Sequence, residues 1–160
     1  MDKKSWAAGF IDGEGSLTIS SRKSGSGRRY HFPALVIQIR LDDESAIWDV
    51  IDAIGIKPYV TYRRASKRTW NTKPTIQVSW QSKKQLRVVC NFLDSYPLRT
   101  KKSKEYRYWR QAVMLFINGG RSHDYCQFRE CEILKLYDEI RNVRTYKVSE
   151  VIINRKASAF

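Results

Sequence analysis

Residues 7–15 read AAGFIDGEG, and this stretch decides how the rest of the chain is interpreted. Its first two glycines, Gly9 and Gly13, stand four residues apart, so they share one face of the predicted first helix, with Ala8 beside them. An interior glycine costs a helix up to about 1 kcal/mol relative to alanine. Close approach of a second backbone would offset that cost, because small residues at this spacing let two helices touch.

Two acids end the same stretch. Asp12 and Glu14 lie at the C-terminal end of the predicted helix, where the helix dipole disfavours each acid by about 0.3–1 kcal/mol. Residues placed against a local preference suggest a functional site, and a carboxylate beside a cationic surface suits Mg²⁺, an ion that also contacts phosphate. The residues alone leave open a second interpretation, in which a packed helix ends in a glycine-rich turn with solvated acids.

Helices and pairs of strands alternate along the chain. Predicted helices begin at Ser5 (ending near Asp12), at Asp42 or Asp43 (ending at Gly55), at Ser82 and near Ser103, and a fifth carries residues 133–140. Strands with a period of two are predicted at 17–20, 35–41, 59–64 and 75–80. The order αββαββα predicts an α+β fold in one domain over residues 1–160, with a core at about 5–118 and a C-terminal helical extension at about 119–160.

Charge is segregated on this map. Thirty Lys and Arg against sixteen Asp and Glu give a net charge of +14 and a pI near 9.9. Residues 16–41 contain five basic residues and residues 55–92 contain nine, and neither range contains an acid. The strand regions are therefore purely cationic, which indicates a polyanionic partner. An anionic membrane would favour a basic amphipathic helix rather than basic strands, so duplex nucleic acid is the expected partner.

The sequence also indicates the compartment. No apolar run approaches the ~20 residues that span a bilayer, and the first residues do not form a secretory signal. Three cysteines, Cys90, Cys126 and Cys131, match no zinc spacing and no disulfide framework. We therefore expect a protein of a reducing intracellular compartment that has no membrane partner.

Residues 7–15 resemble the LAGLIDADG signature of homing endonucleases and intron maturases, in its AGF-D-G-x-G form. The resemblance also includes the order of the strands, the helix end at Ile54-Gly55 and the lysine-containing segment at 97–101. It therefore covers about the first 120 residues. It implies a saddle-shaped antiparallel sheet over the DNA major groove. It also implies a homodimer, because one signature supplies half of a site and signature helices cross on their small residues. The implied dimer interface comprises Ala8, Gly9, Asp12 and Gly13.

The resemblance assigns roles in a metal site. Glu14 matches the metal-binding acid of the family, and the carbonyl of Gly13 matches a backbone metal ligand. The implied ion is Mg²⁺, with Mn²⁺ or Ca²⁺ as alternatives at the same site. Asp12 matches the motif aspartate, which has a structural role in the family and caps the partner helix.

Two further catalytic roles are less well matched. The segment PLRTK at 97–101 resembles the one that supplies a basic residue to the active site, and we assign that role to Lys101, with Lys102 as the competing register. The family places a polar residue at the end of the second strand to position water, and this chain has Leu41 there. Gln38 or Arg40 is the substitute, and we assign Gln38.

Polar residues of the strands and their loops are the expected DNA contacts. Gln38, Arg40, Gln77 and Ser79 are of the donor and acceptor types that read base edges. The full predicted set is Ser20, Arg22, Arg28, Arg29, Gln38, Arg40, Arg63, Lys67, Arg68, Lys73, Gln77, Ser79 and Lys101.

The resemblance, together with these features, implies a site-specific double-strand DNA endonuclease, intron-encoded and metal-dependent, which leaves 5′ phosphates on a near-palindromic target. The alternatives are an intron RNA maturase and a non-catalytic DNA-binding module of the same fold. Two histidines are too few for a zinc-supported His-Asn-His nuclease, and the chain has no Glu-x-Lys triplet to complete a PD-type nuclease site.

Overall fold

The computed structural model of the protein describes residues 2–27, 29–64, 73–119 and 123–145. Its elements are α1 (Lys3–Glu14), β1 (Gly15–Lys23), β2 (Arg29–Arg40), α2 (Glu44–Ile54), β3 (Tyr59–Arg63), β4 (Thr75–Trp80), α3 (Lys83–Ser95), α4 (Lys102–Ile117) and α5 (His123–Arg144). A short 3-10 turn, Leu41–Asp43, precedes α2. The predicted αββαββα order with further helices is confirmed.

The four strands form one antiparallel sheet in the order β1-β2-β4-β3. Leu17, Ile37 and Val78 alternate with polar residues along their strands and are fully buried on one face, against the helices. Directly opposed residues share a face, so the register defines an outer face. Its apolar and aromatic residues are Tyr30, Phe32, Ala34, Val36 and Tyr59. Its polar residues are Ser16, Thr18, Ser20, Arg22, Gln38, Arg40, Thr61, Arg63, Thr75, Gln77 and Ser79. The α+β class with an antiparallel sheet is confirmed.

Two buried tryptophans connect the sheet to its surroundings. The indole N–H of Trp80, at the end of β4, donates to the carbonyl of Ile56 at 2.9 Å. That of Trp109, in α4, donates to the carbonyl of Thr18 in β1 at 3.1 Å. Both side chains have no exposed surface, and each indole has the partner that its burial requires. Helix α4 is thereby fixed over β1.

The bounds of α1 differ from the prediction. Asp2, not Ser5, caps the helix: its carboxylate accepts from the backbone N–H and the hydroxyl of Ser5, both at 3.1 Å. The helix continues past Asp12 to Glu14, so the predicted end is wrong. Gly15 ends it by donating to the carbonyl of Ile11, and a Cβ at Gly15 would lie 2.6 Å from that oxygen. Only glycine allows this close approach.

The predicted starts of α2 and α3 lie close to those in the structure. Ser82 caps α3 with a complete capping box, in which Gln85 returns a bond to the backbone N–H of Ser82. Asp43 stands at the cap position of α2, but its side chain makes no capping bond. Leu41, predicted to lie in a strand, lies in the 3-10 turn, because β2 ends at Arg40.

Helix α5 packs on α4 and supplies two fully buried side chains, Ile133 and Ile140. It forms part of the predicted C-terminal extension, and residues 146–160 lie outside the described ranges. Among the helices that the structure describes, none is long and apolar enough to span a membrane. Cys90 and Cys131 are free thiols, and Cys126 lies where side chains are not described.

Gly55 offers a test of this fold. It ends α2 with φ of 82°, a left-handed conformation that costs other residues about 1–2 kcal/mol. We expect Gly55→Ala to lower the free energy of unfolding by about that amount, as measured by urea denaturation. Gly25→Ala is the control, since a Cβ there also meets nothing within 4 Å and Gly25 has no positive φ. Equal stability of the two variants would contradict the assignment.

Candidate active site and nucleic-acid interface

The two acids of the signature have different surroundings. Asp12 accepts hydrogen bonds from the backbone N–H groups of Arg99 at 2.9 Å and Thr100 at 3.0 Å, and from the Thr100 hydroxyl at 2.6 Å. Burial opposes ionisation of Asp12, but these bonds outweigh it and hold the pKa of the carboxyl below its usual value. Asp12 therefore fixes the segment before α4 of its own chain, which fits a structural role.

Glu14, by contrast, is available for a ligand. It is the last residue of α1, it is exposed, and it makes no hydrogen bond or ion pair with any residue that the structure describes. Its side chain lines an open cleft of about 510 Å³. The cleft is also lined by Phe10, Gln38, Ile39, Arg40, Asp43, Ala46 and Thr75.

The end of α1 is bound by a lysine from α4. The Nζ of Lys102 lies 3.0 Å from the carbonyl oxygen of Ile11, 3.4 Å from that of Gly13 and 2.5 Å from that of Gly15. The last carbonyls of a helix lack intrahelical partners and carry the negative end of its dipole. Lys102 therefore supplies both the hydrogen bonds and the opposite charge that this helix end needs.

The positions of Lys101 and Lys102 differ in ways that bear on the choice between the two predicted registers. Burial lowers its pKa, and the nearby charges of Asp12, Glu105 and Glu14 offset this only in part. Lys101 is exposed and sits at the cap position of α4, where no side-chain capping bond forms. The structure thus favours the alternative register, because Lys102 and not Lys101 reaches the carbonyls of the signature.

The oxygen atoms at the end of α1 suit a hard cation. A carboxylate, Glu14, and a backbone carbonyl, Gly13, are the ligand types that Mg²⁺ and Ca²⁺ prefer. No cluster of three or more His, Cys, Asp or Glu side chains able to hold a metal occurs within the described residues. Mg²⁺ commonly binds through one or two carboxylates and completes its shell with water and phosphate. The residues present therefore fit an ion that is shared with a phosphate ligand.

The two candidates for positioning water are placed differently. Gln38 is exposed on the outer face, and its amide N–H donates to the hydroxyl of Thr75 at 3.4 Å, which leaves its carbonyl oxygen open. Arg40 is paired with Asp42. Leu41, at the place that the family pattern favours, is half-buried in the 3-10 turn. Between the two alternatives, the geometry favours Gln38.

Most of the described DNA-contact candidates share the outer face. They are Ser20, Arg22, Gln38, Arg40, Arg63, Gln77 and Ser79. Lys73 is exposed just before β4, whereas Arg29 pairs with Lys23 and so belongs to the opposite face at the hairpin end. Arg28, Lys67 and Arg68 lie outside the described residues.

Four polar residues of the outer face are absent from the predicted set of DNA contacts: Ser16, Thr18, Thr61 and Thr75. Thr61 lies opposite Gln77, and Thr75 lies opposite both Arg40 and Arg63. The alternation of side chains along a strand would have identified them, because residues two apart point to the same face. Thr61 is two residues before Arg63, and Thr75 is two residues before Gln77.

The glycines of α1 face open space. A Cβ on Gly9 or Gly13 would meet no atom within 4 Å. A groove of about 490 Å³ lies beside Gly9, and Ser5, Ala8, Asp12, Tyr96 and Arg99 contribute to its lining. Ala8, although it lines the groove, is only 6% exposed and packs mainly in its own core. This side of α1 leaves room for a second backbone.

Comparisons with known proteins agree with this geometry. The model of the LAGLIDADG endonuclease family matches residues 7–113, whereas no curated protein matches significantly. A homing endonuclease, I-TnaI, superimposes with a TM-score of 0.67 at 19% identity, with 89% of this chain and 97% of that chain covered.

Two longer proteins solved with DNA are also similar. I-GzeII in complex with its DNA target gives a TM-score of 0.69 at 16% identity, with 84% of this chain and 43% of that chain covered. I-SmaMI, bound to its uncleaved DNA target in the presence of calcium ions, gives a TM-score of 0.68 at 18% identity, with 89% of this chain and 45% of that chain covered. The chain thus spans less than half the length of these two proteins and nearly all of I-TnaI.

The family match extends over more than half of the chain and includes the signature helix, all four strands and the lysine region. The protein therefore belongs to the LAGLIDADG endonuclease family.

Proposed function

We propose that this protein is a site-specific DNA endonuclease that acts as a homodimer, uses Mg²⁺ and cuts both strands of a near-palindromic target. The observation that carries the proposal is Glu14, an exposed carboxylate with no partner in the described part of the chain. It lies at the end of the signature helix, whose last carbonyls bind the ammonium of Lys102. A carboxylate with no structural use, placed beside a cation and a DNA-binding surface, is suited to phosphodiester hydrolysis.

The outer face of the sheet is the proposed DNA-binding surface. It carries arginines, which attract phosphates. It also carries glutamines, serines and threonines, whose amide and hydroxyl groups can form hydrogen bonds with base edges. It carries no acid in the described strands, so nothing on this face repels DNA. The DNA complexes of I-GzeII and I-SmaMI support duplex DNA as the ligand class.

Glu14 and the Gly13 carbonyl would hold the ion. When bound, it supplies Lewis-acid charge for the phosphate oxygens and lowers the pKa of a water molecule. The calcium-containing complex of I-SmaMI supports a divalent ion in this family. We assign Mg²⁺ to this chain, with Mn²⁺ or Ca²⁺ as substitutes, because the oxygen ligands suit all three. The products would carry 5′ phosphates.

The protein's own groups have complementary roles. The ammonium of Lys102 stabilises negative charge that develops on the phosphate, and it is held in place by the carbonyls of Ile11, Gly13 and Gly15. The free carbonyl oxygen of Gln38 orients a water molecule across the cleft from Glu14. Asp12 anchors the segment that precedes Lys102, and so keeps the lysine at the helix end.

A homodimer completes the proposed site. One chain has one signature helix and one available acid in it, whereas cleavage of two strands requires two such sites. The open glycine side of α1 suits contact with the same helix of a second copy. A two-fold symmetric dimer reads two equivalent half-sites, so the target should be near-palindromic.

Glu14→Gln tests the metal site. The amide keeps the shape of the side chain but is a poor ligand for Mg²⁺, so we expect cleavage to fall by about 10³-fold. DNA affinity measured without metal should be kept or rise, because a negative charge near phosphate is removed. Glu14→Asp should retain partial activity, and Glu139→Gln, an exposed acid of α5, is the matched control. Full cleavage by Glu14→Gln would contradict the assignment of Glu14 as a metal ligand.

Lys102→Met and Lys101→Met separate the two registers. We expect Lys102→Met to lower kcat by about 10–100-fold, because the cation beside the phosphate is lost. Lys101→Met should change kcat by less than about threefold, and should mainly weaken DNA binding and its salt dependence. The measurements are single-turnover cleavage and DNA affinity at two salt concentrations. A larger loss of kcat in Lys101→Met would restore the original assignment.

Gly9→Leu tests the dimer. Because a Cβ at Gly9 meets nothing within 4 Å of its own chain, the variant should fold and keep a melting temperature close to that of the wild type. Its side chain blocks the close approach of a second α1, so we expect monomers by sedimentation equilibrium, and no double-strand cleavage. Gly25→Leu, in the β1–β2 loop, should remain dimeric. A monomeric wild type on target DNA would refute the homodimer.

A further inference from the structure

A partly buried ion pair lies behind the candidate active site. Arg144, in the last turn of α5, donates from Nε to the carboxylate of Glu105 at 2.8 Å and from Nη2 to the carbonyl of Leu17 at 2.7 Å. Leu17 is two residues after Gly15, and Glu105 is three residues after Lys102. Arg144 therefore joins β1, α4 and α5 at the end of the molecule where the signature helix ends. It lies outside the segment that the family model matches.

Glu105 needs a cation. Its side chain is 6% exposed, and among the described residues Arg144 is the one cation paired with it. A buried carboxylate left without a partner is strongly unfavourable, so it takes whatever cation lies within reach. Lys102 is that second cation, because residues three apart on a helix are neighbours on its surface. Burial lowers the pKa of Lys102, the charge of Glu105 raises it, and that of Arg144 lowers it.

We propose that Arg144 is a positioning residue for the candidate active site: by neutralising Glu105, it leaves the Lys102 ammonium on the carbonyls of Ile11, Gly13 and Gly15. The proposal rests on the proposed role of Lys102 in cleavage. It gives α5, an element outside the matched family segment, a direct effect on the geometry of the signature.

The proposal differs from simple clamping by α5. Under positioning, loss of Arg144 leaves Glu105 unpaired, and its carboxylate draws Lys102 away from the end of α1. Neutralising Glu105 in the same molecule then removes the competitor, and Lys102 returns to the carbonyls. If Arg144 instead acts only by holding β1, α4 and α5 together, its loss loosens their packing whatever the charge of Glu105. Neutralising Glu105 then does not restore the position of Lys102.

The experiment compares Arg144→Ala, Glu105→Gln and the double variant in the full chain. Arg141→Ala is the matched control, because Arg141 is an exposed arginine of the same last turn that stacks on Tyr137 and forms no ion pair with a described residue. The first readout is amide hydrogen exchange of Gly15, whose N–H is bonded to the same Ile11 carbonyl that Lys102 binds. The second is kcat for cleavage of duplex DNA with Mg²⁺, with DNA affinity measured separately.

We expect Arg144→Ala to speed exchange at Gly15 and to lower kcat, each by about tenfold, with DNA affinity unchanged. The double variant and Glu105→Gln should return both quantities to within about threefold of the wild type, and Arg141→Ala should match the wild type. Wild-type exchange at Gly15 in Arg144→Ala would overturn the proposal. A double variant as impaired as Arg144→Ala would overturn it equally, because clamping would then explain the loss.

Two safeguards keep the test decisive. If Arg144→Ala does not fold, Arg144→Lys replaces it, since a lysine keeps a cation for Glu105; wild-type exchange and kcat are then expected, and losses in that variant overturn the proposal. Failure of the wild type to cut any DNA would refute the proposed function alone, because exchange at Gly15 reports where Lys102 lies without any cleavage.

Discussion

The contact of the Lys102 ammonium with three carbonyls at the end of α1 is the interaction on which the site depends. A helix end presents unpaired carbonyls and a negative dipole, and here it also holds two acids. The ammonium of Lys102 donates hydrogen bonds to these carbonyls, and its positive charge offsets the negative charge of the dipole and of the two acids. Asp12 returns the interaction by binding the backbone of the segment before α4. The signature helix and the start of α4 therefore fix one another, and Glu14 extends from a rigid base.

The spacing of the two acids explains their different roles. Residues of a helix are about 100° apart around its axis, so Asp12 and Glu14 point to different sides. The Asp12 side faces Arg99 and Thr100, which use its oxygen atoms. The Glu14 side faces the cleft beside the strand that carries Gln38, where no described group pairs with it. Two carboxylates two residues apart thus have separate surroundings: Asp12 holds the structure together, and Glu14 is left open for the proposed metal site.

The sequence predicted what depends on local pattern and missed what depends on long-range contact. The apolar alternation of the strands, the cap at Ser82 and the stop at Gly55 were correct, because each is a short-range signal. The end of α1 was wrong, since Gly13 has open space around it and its helix needs no break there. Lys101 and Lys102 are adjacent lysines that the sequence alone does not separate, whereas in the structure only Lys102 reaches the carbonyls of α1. Glu105 and Arg144 are 39 residues apart, with no local sign of their pairing.

The segregation of charge also affects Glu14, the open acid at the end of the signature helix. A protein with a net charge of +14 stabilises an isolated carboxylate such as Glu14 through its overall field. When DNA binds, the phosphates bring like charge towards that carboxylate, and the repulsion is relieved only if a cation lies between them. One carboxylate and one carbonyl give too few ligands to hold Mg²⁺ alone, whereas a phosphate oxygen and water complete the set. The proposed ion would therefore bind most tightly in the complex with DNA, so the proposed cleavage site would be complete only where a target phosphate is already in place.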